Sequence, residues 1–249
     1  MSFPRRLAAT YGQIWRTYWS WAPSILLLAV VVFVPLGLLN ALTMNVELDW
    51  LNITNGIKLA AFALAVTVVT ATGLIGEVFF SGAIAISLTH PHGEKPPGLR
   101  EIAQRLNYGR LIAVDLVFVG IVAAGLILGV VPGVLAYVWL GLAGPLVELE
   151  GCSVGGALRR SMQLVRGGFW LVFWVLVPIE IAGDAIGEGL AALVHDLLGH
   201  TFLATWLAES LADAALSPVF AVAAVLLTVD RMVAKEGSAP PLHSAPVPA

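Results

Sequence analysis

LIAVDLVFVGIVAAGLILGVVPGVLAYVWLGLAGPLV, residues 111–147, carries a single charge, Asp115. A membrane-crossing helix needs about 20 mostly apolar residues, because 1.5 Å of rise per residue must cover roughly 30 Å of hydrocarbon. The stretch is therefore long enough for more than one crossing. Pro132-Gly133 interrupts it, and proline followed by glycine favours a reversal. Two spans, 111–131 and 134–147, then form a hairpin; a single kinked helix is the competing interpretation. The basic residues on either side decide between them.

Positive side chains are retained on the cytoplasmic face of a membrane. With the N-terminus inside, the hairpin places Arg5, Arg6, Arg16, Lys95, Arg100, Arg105, Arg110, Arg159, Arg160, Arg166, Arg231 and Lys235 on the cytoplasmic side. Only Lys58, of 13 lysines and arginines, falls outside. A kinked single helix would invert everything downstream and expose Arg159, Arg160 and Arg166 on the far side. The hairpin is the better account.

The whole chain agrees with a membrane bundle. Its 249 residues are 59% hydrophobic and 12% charged, with mean hydropathy +0.90. Soluble domains carry about 25% charged residues to cover a wetted surface. A net charge of −3 and the lack of a basic cluster with interleaved aromatics exclude nucleic acid as a partner. The one cysteine, Cys152, excludes an intrachain disulfide and a cysteine-based metal cage.

Six spans are expected, at about 24–42, 57–88, 111–131, 134–147, 169–190 and 207–229, within one all-α transmembrane domain over residues 1–236. The Pro-, Ser- and Ala-rich stretch 237–249 is expected to be a disordered tail. Arg5-Arg6 lies too far ahead of the first apolar run to be a signal-peptide n-region, and no small-x-small cleavage site follows. Both termini are then cytoplasmic, in a plasma-membrane protein. Tyr11, Trp15, Tyr18, Trp19 and Trp21 precede the first span, and Phe169, Trp170, Phe173 and Trp174 open the fifth. Amphipathic rings of this kind settle at headgroup depth.

Three cytoplasmic segments have the spacing of short amphipathic helices. Leu7, Tyr11, Ile14, Trp15 and Tyr18 make one apolar face; Leu99, Ile102, Ala103 and Leu106 make a second; Leu158, Met162 and Val165, capped by Ser153, make a third. Each precedes a pair of spans, and short matches recur among them. Leu99-Arg100 with Gln104 parallels Leu158-Arg159 with Gln163, and Gln13 with Arg16 parallels Gln163 with Arg166. Three copies of helix plus hairpin would explain this pattern.

Glu148-Leu149-Glu150-Gly151, then Ala157 through Gly167 (ALRRSMQLVRG) and Phe169-Trp170, resembles the bacterial family grouped with the glycerophosphoryl diester phosphodiesterase membrane domain. Val131-Pro132-Gly133 and Asp230-Arg231 add to the likeness, which extends over roughly residues 3–236. The resemblance implies six spans and membrane location. It implies no phosphodiesterase activity, since the catalytic domain fused to some members has no counterpart here.

An ionised side chain at mid-bilayer costs about 2.5–3.5 kcal/mol on insertion scales, so each needs a reason. Glu77, Asp115, Glu148 and Glu150 are expected to form structural ion pairs with arginines at the inner boundary, a functional carboxylate at Glu77 being the alternative. Glu180, Asp184 and Glu188 lie on one helix face at i, i+4, i+8, and Glu209 and Asp213 repeat the i, i+4 spacing. Facing each other, the two stripes would line an outer cation vestibule. On a helix from about 184 to 198 lying in the outer interface, the acids would simply be wetted. Glu180 is the member this second interpretation explains least well. His90-Pro91-His92 lacks further ligands, and Asn52-Ile53-Thr54 matters only where glycosylation occurs. No Ser/His/Asp arrangement, phosphate-cradling loop or zinc-protease helix is present.

The function expected from these features is a non-enzymatic scaffold or lipid- or partner-binding module without cofactor or metal. Arg100, Arg105, Arg159, Arg160 and Arg166 would contact anionic headgroups or a membrane-protein partner. The alternative is a small transporter or permease working through the acidic vestibule.

Overall fold

A computed structural model describes residues 2–44, 76–89, 98–199, 201–237 and 239–240. Among these residues the chain is all-α, without strands. The helices are α1 (Phe3–Met44), α2 (Glu77–Leu88), α3 (Leu99–Arg105), α4 (Tyr108–Leu128), α5 (Val130–Leu140), α6 (Ala143–Leu149), α7 (Val154–Val165), α8 (Phe169–Leu198) and α9 (Phe202–Glu236). Five stretches are long and apolar enough to cross a membrane: α1, α4, α5 with α6, α8 and α9. The apolar α2 is the described part of the expected second span. Its segment 57–75, together with Lys58, His90-Pro91-His92 and nearly all of the tail 237–249, lies outside the described residues.

Helix α9 is the axis of the bundle. Every residue from Phe220 to Val229 is buried, so this segment has no solvent or lipid face. A helix apolar all round belongs in the middle of its fold. Helices α1, α8 and α2 pack around it. Trp206 donates its indole N–H to the Val34 carbonyl at 3.1 Å, and Tyr18 donates its hydroxyl to the Ala215 carbonyl at 3.3 Å. Outward-facing Leu27, Val31, Leu116, Ile127, Val131, Ile181 and Leu197 are exposed. Bare apolar surface on this scale belongs against lipid.

Several boundaries differ from expectation. The hairpin between the third and fourth spans turns at Gly129, three residues before Pro132-Gly133. Gly129 takes φ +143°, a region L-residues rarely enter, and Pro132 falls in the first turn of α5, where its missing N–H has no helical acceptor. The two arms touch backbone to backbone: a Cβ on Gly125 would stand 2.8 Å from Gly133 Cα. The fourth span consequently covers Val130–Leu149, longer than 134–147 and bent where α5 passes into α6.

The first amphipathic segment and the first span are one rod, α1, with Pro23 and Pro35 inside it. The second and third remain separate as α3 and α7, each followed by a hairpin, α4 to α6 and α8 to α9. Helix α8 also continues unbroken to Leu198 rather than starting a separate helix at 184. Gly183 and Gly187, which would permit a bend, are instead packing positions: a Cβ on Gly187 would meet Ala212 at 3.5 Å, and one on Gly183 would meet Leu216 at 3.9 Å.

Candidate functional site: a cleft at the basic end and carboxyls in the core

One end of the bundle gathers arginines and their partners. Arg6 reaches from the start of α1 to the end of α9, donating to both carboxylate oxygens of Asp230 at 3.0 and 2.8 Å. Arg160 on α7 donates to Glu150 at 2.9–3.1 Å and also to Glu236. These hydrogen bonds, that to Glu150 foremost, hold the guanidinium above its ordinary pKa. Arg105 pairs with Glu101 one turn before it, at 2.7 Å. Ser153 caps α7 by accepting from the Gly156 N–H at 3.3 Å, as its sequence position predicts.

Of the five arginines assigned to headgroups or a partner, Arg105 and Arg160 are engaged in these pairs. Arg159 and Arg166 are exposed. Arg100 lines a cavity of about 670 Å³ between α1, α2, α3 and α4. Leu28, Val31, Leu36, Phe79 and Leu116 form its apolar wall, and Arg100 is the one cation among its described lining residues. Asp115 and Gly76 also line it, and Tyr108 stands at the start of α4.

The carboxyls expected to form ion pairs divide into two groups. Glu150 does so, with Arg160. Glu148 instead accepts the Asn107 backbone N–H at 2.9 Å, ahead of α4. Asp115 was expected to meet Arg110, but Arg110 donates to the Gly151 carbonyl at 3.0 Å. Asp115 accepts from the Gly76 N–H at 2.7 Å, with Val78 N–H beside it. It thus serves from α4 as a cap for the first turn of α2, whose leading N–H groups have no helical acceptor.

Glu77 departs furthest from expectation. It was placed at the inner boundary beside an arginine; it is buried in the core, 5% exposed, among acids. The carboxyls that act on it are Glu180, Asp115, Asp213 and Asp184. The physical reason is its position at the first turn of α2, eleven residues from the end of that helix and about 16 Å along its axis. Glu180 lies as deep from the start of α8. It accepts a hydrogen bond from the Tyr137 hydroxyl at 3.0 Å and stands within hydrogen-bonding reach of Glu77.

The expected outer vestibule is thus only partly assembled. Glu180 turns into the bundle and Asp213 on α9 bears on it, whereas Asp184 and Glu188 are exposed on α8. The placement of the Glu209 side chain lies outside what is described. Tyr137 went unnoticed in the sequence. The signal was available: a tyrosine inside an apolar span must find a partner for its hydroxyl.

No family model, no curated protein and no solved structure matches this chain.

Proposed function

We propose that the protein is a non-enzymatic membrane module that holds an anionic lipid of the cytoplasmic leaflet in the cleft between α1, α2, α3 and α4. The cleft carries this interpretation. Its volume of about 670 Å³ falls within the roughly 300–1,000 Å³ usual for small-molecule sites. Its wall is almost wholly apolar, as an acyl chain requires, and Arg100 supplies a cation on the short helix α3. A guanidinium binds a phosphate through paired N–H donors.

The orientation follows from the same charges. Arg6, Arg100, Arg105, Arg160 and Arg166 would lie at the cytoplasmic leaflet by the bias of positive residues. Each Lys or Arg near an anionic surface contributes about 1 kcal/mol of attraction. Arg159 and Arg166, exposed on and just after α7, would add to that attraction or meet a membrane-protein partner.

The test compares wild type with Arg100→Gln purified from the same membranes in the same detergent. Phospholipid retained per mole of protein is measured by mass spectrometry. Enrichment of anionic over zwitterionic lipid is expected in wild type, with at least a several-fold loss in the variant. Equal retention in both proteins sinks the proposal.

A further inference from the structure

A second feature stands apart from the cleft. Buried Glu77 of α2 and half-buried Glu180 of α8 come together inside the bundle, with the Tyr137 hydroxyl of α5 donating to Glu180. Carboxylate oxygens only accept hydrogen bonds; two carboxyls in contact can bond only if one carries a proton. Glu77 Oε2 is buried and has no hydrogen-bond partner, although the side chain is only 5% exposed. An unpaired buried charge is far costlier than a neutral group in the same place. A proton between the two carboxyls removes one charge and supplies the missing bond.

Among the described residues no cation stands by to do the same work. The sequence holds no Lys or Arg from residue 111 to 158 or from 167 to 230, the stretches that build α5, α6, α8 and most of α4 and α9. The described charged groups acting on Glu77 are carboxyls: Glu180 and Asp184 from α8, Asp115 from α4 and Asp213 from α9. Those acting on Glu180 are Asp184, Asp213, Glu77 and the Tyr137 hydroxyl. Helix α1 brings no charged side chain between Thr17 and Met44, and the one charge on α6, Glu148, is bonded to Asn107 at the arginine-rich end. A multivalent metal fits poorly, because no group of three or more His, Cys, Asp or Glu among the described residues is arranged to hold one.

We infer that Glu77 and Glu180 form a proton-binding site in the middle of the bundle, with Tyr137 positioning Glu180. Exposed Asp184 and Glu188, one and two turns further along α8, give the pair a polar approach from the end remote from the arginines. Tyr137 is itself fixed by the rings of Phe118 and Phe220, with centroids 5.9 and 5.8 Å away. The hydroxyl is thereby aimed at one oxygen of Glu180. Intramembrane carboxyls set in this way are the usual elements of proton relays. The site does not depend on lipid occupying the cleft.

Infrared spectroscopy of the purified full chain in an ester-free detergent tests this. At neutral pH a protonated-carboxyl stretching component is expected; it should shift in heavy water and vanish as the pH is raised. Glu77→Gln/Glu180→Gln should abolish that component, and Glu101→Gln, on the surface of α3, should leave it intact. If the double variant does not fold, Tyr137→Phe decides, since it keeps the ring and removes only the donor to Glu180: the component should change frequency. Absence of the component in wild type at neutral pH overturns the inference. So does its persistence in a folded double variant, or an unchanged frequency in Tyr137→Phe. Its loss on adding sodium or potassium at constant pH would also overturn it, because the pair would then hold a metal cation.

Discussion

Glu150 and Glu77 are the same residue in two different places. Glu150 lies in the loop between α6 and α7 and meets Arg160, and Asp230 near the end of α9 meets Arg6. Glu77 begins a helix in the core, where the described charged groups acting on it are acids. At the arginine-rich end a carboxylate is a fastener in contact with water, exchangeable for other polar contacts. In the core the identical group has no cation among the described residues, no room to leave and a neighbour with the same need. Depth and partner, rather than residue type, separate the two roles.

The largest effect should come from disturbing the packing that holds Glu77 in place. Gly144 on α6 lies against the first turn of α2, where a Cβ would press on the Val78 carbonyl and the Ser81 hydroxyl. Gly144→Leu should cost about 3 kcal/mol or more, since backbone stands in the way and overpacking of a tight core costs 1–3 kcal/mol even where side chains give. Thermal unfolding in detergent would show it; an unchanged midpoint would mean that the two helices do not rely on close contact.

Next comes the cap. Asp115→Ala leaves the Gly76 N–H without its acceptor and should cost about 1–3 kcal/mol, the penalty for an unmade buried hydrogen bond. Asp115→Asn keeps an oxygen acceptor and should recover much of that loss. If both variants unfolded at the same temperature, the cap would not be what Asp115 supplies.

Breaking the fasteners should matter less. Arg6 and Asp230 are 40% and 41% exposed, where ion pairs contribute about 0–1 kcal/mol. A double-mutant cycle on Arg6→Gln and Asp230→Asn should therefore return a coupling below about 1 kcal/mol, falling as salt is added. A large, salt-independent coupling would make this end resemble the core and erase the contrast.

The smallest effect concerns Cys152, beside Glu150. Burial first, and then the Glu150 carboxylate, raise its thiol pKa above the usual value. The thiolate is the reactive form, so a higher pKa means less of it at neutral pH. Alkylation at pH 7 should be slower than for a free thiol and should accelerate as pH rises toward the raised pKa. Glu150→Gln should speed it at fixed pH with little change in stability. Equal rates in the two proteins would remove Glu150 from the account.

Much of the architecture could be read from local signals. The hairpin after residue 111 follows from the distribution of arginines. The turn itself sits at Gly129, because conformational freedom at one glycine outweighed the more visible Pro132-Gly133. The fusion of the first amphipathic segment with the first span was not legible: Pro23 signals an interruption, but a rod packed along α9 tolerates it. Gly183 and Gly187, residues that would permit a bend, instead lie against Leu216 and Ala212 of α9.

The candidate site was legible by half. Periodicity placed Glu180, Asp184 and Glu188 on one face and marked Glu180 as poorly explained at the surface. It could not show that Glu180 meets Glu77, more than a hundred residues earlier, or Tyr137 on a third helix. Such pairings are set by which faces of separate helices come together, and a pattern along one helix holds no record of its neighbour's rotation. Arg100 was singled out for its charge alone; the apolar cleft it borders is made by four helices and exists in none of them.

The central position of α9 bears on how the molecule is made. Helices enter a membrane in the order they are synthesised, and α9 follows every other described helix. Helix α1 finds its main companion, including the acceptors for Tyr18 and Arg6, only there. Until α9 arrives, the faces of α1, α2 and α8 that pack on it must be covered by lipid tails or another protein. Among the described helices the hub is thus made last, and a ribosome stalled before residue 202 would leave the earlier ones without it.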